Sequence, residues 1–252
     1  MTRRLGLKQR IRRHPRRYLA LGGAVTALGL VAAATGMASA TGNAASAAAY
    51  NFGSGYSAID GTFTSVAANW IQPAAVCAGG GQQTGFWIGL SGTGTIAQLG
   101  TAANCDGTTP DYYSWWEMYP AAGVPVSNVT EPGDHLHASV VYNGDDNFTM
   151  VLKNVTRGWT LTENKTQVST GGTPISANVI VEANSDTGAA GSSGNVTDFG
   201  SVTFSGAEVN GEPLGDSQLW TGNLVDMRGV QEDSVSRLTG GRLFTATWLS
   251  TG

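Results

Sequence analysis

Three segments decide the fold of this chain: Phe86-Trp87-Ile88-Gly89-Leu90, Thr95-Ile96-Ala97-Gln98-Leu99-Gly100 and Tyr113-Ser114-Trp115-Trp116-Glu117-Met118-Tyr119-Pro120. Aromatic and apolar residues dominate all three, which is typical of β-strands. Gln98 and Glu117 are polar side chains among these large rings. Such a mixture suits the wall of a substrate cleft, although aromatic residues also form ordinary hydrophobic cores.

The rest of the chain shows the same strand-forming pattern. Apolar and polar residues alternate with a period of two in residues 148–153, 159–163, 202–205 and 242–248, and glycine-rich segments separate such runs. No window of ordinary helical length has the periodicity of an amphipathic helix. These features predict an all-β protein, an antiparallel two-sheet β-sandwich of jelly-roll or concanavalin-like type.

The first 40 residues have the organisation of an export signal. A basic segment precedes an apolar run over residues 18–37, and Ala38-Ser39-Ala40 has the small residues of a cleavage site. A membrane anchor is the alternative, but the run is poor in Leu and Ile and ends at small residues. Arg3-Arg4 resembles a twin-arginine motif, so the export route stays open. We therefore expect a secreted protein with a signal at residues 1–40, a linker at 41–49 and one β-sandwich domain at 50–252.

Removal of the signal changes the charge of the protein. It leaves six basic and all 18 acidic residues, a formal charge of −12. Such a surface repels nucleic acid and anionic lipid, which bind clusters of Lys and Arg. Near about pH 3 most carboxyl groups of ordinary pKa are neutral and few cations remain to repel one another. We expect a monomer that stays folded in acid and contacts no membrane after signal removal.

Cys77 and Cys105 are the only cysteines of the chain. In an exported protein such a pair is expected to form a disulfide, and two free buried thiols are the alternative. The bond would close the loop that carries Trp87 and Gln98, and the entropic model assigns it roughly 3 kcal/mol of stability.

A further segment, Ser176-Ala177-Asn178-Val179-Ile180-Val181-Glu182, completes a resemblance to the glutamic endopeptidases, or eqolisins. That family has a tryptophan-glycine strand, a Gln-x-Gly turn, a Trp-x-Glu-x-Tyr-Pro run and an Ala-Glu-Trp-Ile-x-Glu segment. The matching positions are Trp87 and Gly89, Gln98 and Gly100, residues 115–120 and residues 177–182. Asn178 and Val179 depart from the pattern, and the terminal Glu182 is kept. The resemblance covers nearly all of the mature chain.

The resemblance implies a peptidase that cleaves polypeptides at acid pH with a glutamine and glutamate dyad. In this assignment Glu182 is the general base and later the acid, and the Gln98 amide stabilises the oxyanion. Strand alternation places Asn178, Ile180 and Glu182 on one face of their strand and two valines on the other. The candidate substrate-binding residues are Trp87, Trp115, Trp116 and Glu117.

Metal and serine chemistry have little support in the sequence. His135 and His137 lie beside Asp134, but no third ligand with zinc-like spacing accompanies them. No G-x-S-x-G motif is present. We expect neither a metal nor a cofactor.

Two other classes of function stay open at this point. A carbohydrate-binding module or a retaining glycosidase could use Glu117 and Glu182 as its carboxyl pair. A catalytically silent adhesion domain is the third possibility, because Asn178 and Val179 depart from the peptidase pattern.

Overall fold

The computed structural model of this chain describes residues 51, 53–167, 172–183 and 196–251. The expected signal at residues 1–40 and the linker at residues 41–49 lie outside the described residues, so both stay predictions. In the described part, short strands follow one another and are joined by turns rich in glycine.

Strands form where β-branched and aromatic residues alternate with small or polar ones, because such side chains fit a pleated surface. They are β1 Gly53–Ile59, β2 Ser65–Ile71, β3 Gln83–Gly92, β4 Thr95–Asp106, β5 Thr109–Tyr119, β6 Val124–Pro125, β7 His135–Tyr142, β8 Asn147–Asn154, β9 Trp159–Thr166, β10 Ser176–Ala183, β11 Ser201–Val209, β12 Glu212–Pro213, β13 Gln218–Gly222, β14 Asp233–Val235 and β15 Phe244–Trp248. A 3₁₀ turn at Leu214–Asp216 is the one helical element of the described residues.

The strands form two antiparallel sheets. The first has the order β13-β1-β10-β3-β4-β5-β6, and the second has the order β14-β15-β11-β2-β7-β8-β9, with β12 attached to β11. Strands β3 and β4 of the first sheet pack against β7 and β8 of the second. The predicted all-β two-sheet sandwich is therefore confirmed.

The main core lies between the two sheets. Alternate residues of each strand enter it, as Phe86 and Ile88 do on β3 and Val179 and Val181 do on β10. Ile180 belongs to a second, separate cluster, and in a strand successive side chains point to opposite faces. Asn178, Ile180 and Glu182 therefore share the face of β10 that is turned away from the core, as predicted.

A tight hairpin sets the register between β4 and β5. Asp106 pairs with Thr109, so the turn consists of Gly107 and Thr108. Gly107 has φ 61°, a left-handed conformation that glycine adopts without strain. Because loop length fixes hairpin register, this turn determines which residue of β5 lies opposite each residue of β4.

Cys77 and Cys105 form a disulfide, as the sequence predicted. Cys105 is near the end of β4 and Cys77 lies in the segment between β2 and β3. The bond thus joins that segment to the strand that carries Gln98.

No helix in the described part of the chain is long and apolar enough to cross a membrane.

Strands β3 and β4 approach very closely where Trp87 lies opposite Gly100. A Cβ atom on Gly100 would lie 2.1 Å from the carbonyl oxygen of Phe86 and 2.7 Å from the Cβ of Trp87. Gly53 on β1 has more space, because a Cβ there would lie 3.4 Å from Ile180. Gly100 is therefore required for the packing of Trp87.

We predict that Gly100→Ala destabilises the protein by about 3 kcal/mol, because the Phe86 main chain cannot move away without disturbing the pairing of β3 and β4. Gly53→Ala is the matched control in the same sheet and should change stability by less than about 1 kcal/mol. Thermal unfolding at pH 4 measures both variants. Equal losses in the two would contradict the tight packing at Gly100.

Three buried carboxyl groups lie close together near one end of β14. Asp226, Glu232 and Asp233 are each at most 1% exposed. Arg228 forms an ion pair with Asp226, while Oε1 of Glu232 has no hydrogen-bond partner. Burial, together with the charges of Asp226 and Asp233, raises the pKa of Glu232 to about 7. Burial also raises the pKa of Asp233.

A carboxyl group whose pKa is higher in the folded than in the unfolded state contributes stability below its unfolded pKa, and that stability is lost as pH rises through the folded pKa. For Glu232 this stability is lost as pH rises from 4.5, the ordinary pKa of the group, through about 7, its pKa in the folded protein. Asp226, whose pKa is lowered, has the opposite dependence, but its contribution is lost only as pH falls through and below its ordinary value of 3.8.

We predict that the protein melts at a lower temperature at pH 8 than at pH 5, with Glu232 contributing on the order of 3 kcal/mol. Glu232→Gln should make the melting temperature less dependent on pH over this range. The exposed Glu212 provides the control, since Glu212→Gln should leave the pH dependence as it is. A higher melting temperature at pH 8 than at pH 5 would refute this account.

Candidate active site

One face of the first sheet carries a cluster that is separate from the main core. Trp87, Ala102, Trp115 and Ile180 form this cluster, and Tyr113 and Trp220 pack against it. We call this side of β10, β3, β4 and β5 the site face. Three rows of directly paired residues cross it: Asn178, Gly89, Gln98 and Glu117 in the first row, Ile180, Trp87, Gly100 and Trp115 in the second, and Glu182, Gly85, Ala102 and Tyr113 in the third.

Gln98 and Glu117 are in direct contact in the first row. Nε2 of Gln98 donates a hydrogen bond of 2.5 Å to Oε2 of Glu117. Gln98 has no exposed surface and Glu117 is 5% exposed. Burial raises the pKa of Glu117 to about 7, and the hydrogen bond from Gln98 opposes part of that rise. Oε1 of Gln98 has no hydrogen-bond partner.

Glu182 lies in the third row and is half-buried. The indole Nε1 of Trp87 donates a hydrogen bond of 2.9 Å to its Oε2. Burial is the main cause that raises the pKa of Glu182 to about 8, the charge of Glu117 raises it further, and the Trp87 hydrogen bond opposes the shift. The two glutamates therefore interact electrostatically across the site face.

The two predicted dyad residues share the site face but not a row. Trp87 occupies the second row between Gln98 and Glu182. Asn178 is the residue in line with Gln98, with only Gly89 between them, and its amide donates to Gly89 O at 3.2 Å and to Ser91 Oγ at 2.8 Å. The direct amide–carboxyl contact is thus Gln98 with Glu117, and the dyad of Gln98 with Glu182 stays a prediction.

The predicted tryptophans divide between two faces. Trp87 and Trp115 lie on the site face, whereas Trp116 packs against the main core with the Lys165 ammonium 4.3 Å from its ring centre. Successive side chains of a strand point in opposite directions, so Trp116 lies on the opposite face of β5 from Trp115, and its role in substrate binding stays a prediction.

The contact between Gln98 and Glu117 depends on which two residues form the β4–β5 turn. Asp106-Gly107, a favoured hairpin pair, would place Trp115 opposite Gln98, whereas the turn at Gly107-Thr108 places Glu117 there. Turn residues alone do not decide between these two registers, so the sequence does not give this contact.

His137 of β7 and the neighbouring Asp134 have structural partners. Nδ1 of His137 contacts Oδ1 of Asn69 at 2.9 Å, and Asp134 accepts hydrogen bonds from Asn154 and Arg157. The described residues include no group of three His, Cys, Asp or Glu side chains placed to hold a metal ion.

The solved structures that share the fold of this chain include glutamic peptidases. Scytalido-glutamic peptidase with a transition-state analogue inhibitor is 20% identical, with a TM-score of 0.66 over 79% of this chain and 98% of that one. SCP-B, an eqolisin in complex with the tripeptide Ala-Ile-His, is 20% identical with a TM-score of 0.62 over 79% and 98%. Aspergilloglutamic peptidase from Aspergillus niger is 23% identical with a TM-score of 0.57 over 67% and 99%.

The family is shown by the sequence itself. No curated protein matches the chain, but the sequence pattern of the peptidase A4 family matches residues 51–242, well over half of its length. This match extends over both sheets and includes the three rows of the site face. The chain therefore belongs to the peptidase A4 family, the eqolisins, and so to the glutamic-type endopeptidases.

Proposed function

We propose that this chain is a secreted endopeptidase that hydrolyses polypeptides at acid pH, with Gln98 as the hydrogen-bond donor and Glu182 as the group that transfers protons. The observation that carries the proposal is a fully buried amide, Gln98, on the same face as two glutamates with raised pKa values. Membership of the peptidase A4 family favours this reaction over the carbohydrate-active alternative.

The polar groups of the site face suit a peptide substrate. A peptide unit offers one carbonyl acceptor and one N–H donor. Nε1 of Trp115 is a buried donor with no partner, and Oε1 of Gln98 is a buried acceptor with no partner. Buried polar groups without partners are costly, so a peptide main chain that satisfied both would be bound favourably.

Gln98 can stabilise the oxyanion while it remains bonded to Glu117. A side-chain amide nitrogen carries two N–H groups, and the contact with Glu117 uses one of them. The second can donate to the carbonyl oxygen of the scissile bond while water attacks, before that oxygen receives the proton from Glu182. An amide does not titrate, so this donor is present at every pH.

Glu182 is neutral in acid, because its pKa is about 8. A neutral carboxyl group can accept the proton of the attacking water on its carbonyl oxygen while its hydroxyl gives a proton to the substrate carbonyl oxygen. The tetrahedral intermediate then returns that proton to the carboxyl group, whose hydroxyl protonates the leaving amine as the C–N bond breaks. The carboxyl group regains its proton, so the cycle is balanced.

Secretion is supported by the amino-terminal sequence and the disulfide. Residues 1–40 have the pattern of an export signal, and a disulfide between Cys77 and Cys105 suits an oxidising compartment. The low number of cations after residue 40 suits an acidic medium. A monomeric state stays a prediction.

We predict that the purified mature protein cleaves denatured haemoglobin at pH 3 to 6 and loses this activity between about pH 7 and 8, where Glu117 and Glu182 lose their protons. Chelators and reagents for serine and cysteine peptidases should have no effect, since none of those groups takes part. Peptide release at each pH measures the profile. Activity that rises through pH 8 would contradict the neutral-carboxyl cycle.

Two variants test the assigned residues. Glu182→Gln should abolish turnover, because an amide cannot transfer the protons, and Gln98→Ala should lower kcat by about a hundredfold or more. Both proteins should keep the wild-type far-UV circular dichroism spectrum. Full activity in Gln98→Ala would disprove the role of the amide.

Asn178→Glu supplies the complementary test, because it places a carboxyl group in line with Gln98 across Gly89. If Glu182→Gln stays active and Asn178→Glu raises the rate well above wild type, the proton-transfer position is 178 and the assignment of Glu182 is wrong. If Gln98→Ala stays active while Glu117→Gln and Glu182→Gln are both inactive, the two-carboxyl glycosidase chemistry is favoured instead.

A further inference from the structure

Strands β1 and β13 extend the site face on the far side of β10. Their paired residues continue its rows: Ser57 and Trp220 in the first row, Gly55 and Gly222 in the second, and Gly53 in the third. Trp220 therefore lies on the same face of the sheet as Glu182. It is the one aromatic side chain that β1 and β13 present on this face.

The indole ring of Trp220 extends from the first row over the second, in the direction of the third. A Cβ atom on Gly222 would lie 2.7 Å from Cζ2 and 2.9 Å from Cη2 of Trp220, so the six-membered part of the ring lies beside Gly222. Trp220 packs against the cluster that contains Trp87 and Ile180, yet part of its surface stays exposed. An indole ring in this position offers a large apolar surface to a ligand.

A space without side chains lies between Trp220 and Glu182. On this face β1 carries Gly53 and Gly55, and Gly53 is paired with Glu182. A Cβ atom on Gly53 would have one atom of the described residues within 4 Å, Cγ2 of Ile180 at 3.4 Å. The main chain of β1 is thus the floor of a recess. We call this space, bordered by Gly53, Ile180, Glu182 and Trp220, the β1 recess.

The β1 recess is apolar and adjoins the proposed proton-transfer group. Its walls are the Trp220 ring and the Ile180 side chain, and β1 and β13 present no charged side chain on this face. Neighbouring strands are about 5 Å apart, so a substrate bond in contact with Glu182 is close enough for an adjacent side chain to lie over Gly53.

We infer that Trp220 is a specificity-determining residue, which binds a large apolar side chain of the polypeptide next to the bond that is cut. This inference rests on the proposed function and deepens it. Burial of a Phe or Leu side chain favours a complex by about tenfold to a hundredfold. An Ala side chain buries much less surface, and a charged side chain would lose hydration without gaining a partner. The recess therefore selects large apolar residues.

Two peptides that differ at one position measure this preference. The bonds cut in denatured haemoglobin identify the position, and the ratio of kcat/KM at pH 4 then compares Phe with Ala there. Trp220→Ala should lower the ratio by about tenfold or more, and Trp220→Phe, which keeps an aromatic ring, should retain most of it. Trp159→Ala, which removes a partly exposed tryptophan from β9 of the other sheet, is the matched control and should leave the ratio at wild type.

Gly53→Val tests the recess from its floor and leaves Trp220 in place. Valine fits a β-strand, and its side chain would occupy the space over residue 53. The Phe peptide should therefore lose about tenfold or more in kcat/KM, while the Ala peptide is cut about as fast as by wild type. A structural defect alone changes the amount of active protein and leaves the ratio unchanged. An unchanged ratio in both Trp220→Ala and Gly53→Val would overturn the inference.

Failure of the proposed function gives a different result. A wild-type protein that cuts no peptide between pH 3 and 6 would refute the proposed function. The inference would then be decided by calorimetric titration at pH 4 with two glycine-rich peptides that carry a single Phe or a single Ala. The Phe peptide should bind more tightly to wild type and lose this advantage in Trp220→Ala. Equal binding of the two peptides to wild type would overturn the inference.

Discussion

Exclusion of water from Gln98 and Glu117 is the constraint on which the site depends. In a buried environment a hydrogen bond is stronger than in water, and a polar group without a partner is costly. Each of these two side chains is therefore held by the other. The β4–β5 hairpin makes this possible, because its register places the two residues directly opposite each other and a slip of β5 by one residue would turn Glu117 toward the main core.

Burial also links the chemistry of the protein to its stability. The pKa values of Glu117, Glu182 and Glu232 are raised mainly by loss of hydration. All three groups are therefore neutral in acid and become charged as pH approaches neutrality. The same change in pH removes protons from the site face and introduces charge near β14, so activity and folded structure are expected to decline in the same pH range.

The first row of the site face contains two amides and one carboxyl group. Asn178 and Gln98 can donate and accept hydrogen bonds, but neither can transfer a proton at any accessible pH. In the proposed reaction, proton transfer is therefore assigned to Glu182, a carboxyl group of the site face. Asn178, where the resemblance to the family would place a glutamate, is thus the departure that lies in this first row.

Alternation of apolar and polar residues was sufficient to predict the two-sheet sandwich and the faces of β10, because burial of one side of a strand depends on residue type alone. The cysteine pair was likewise sufficient for the disulfide. Contacts between side chains on neighbouring strands could not be predicted in this way, since they depend on the register of the strands. Trp87 lies between Gln98 and Glu182, Trp116 faces the core, and Glu117 meets Gln98. Only the tertiary structure decided these relations, because neighbours in a sheet come from distant parts of the chain.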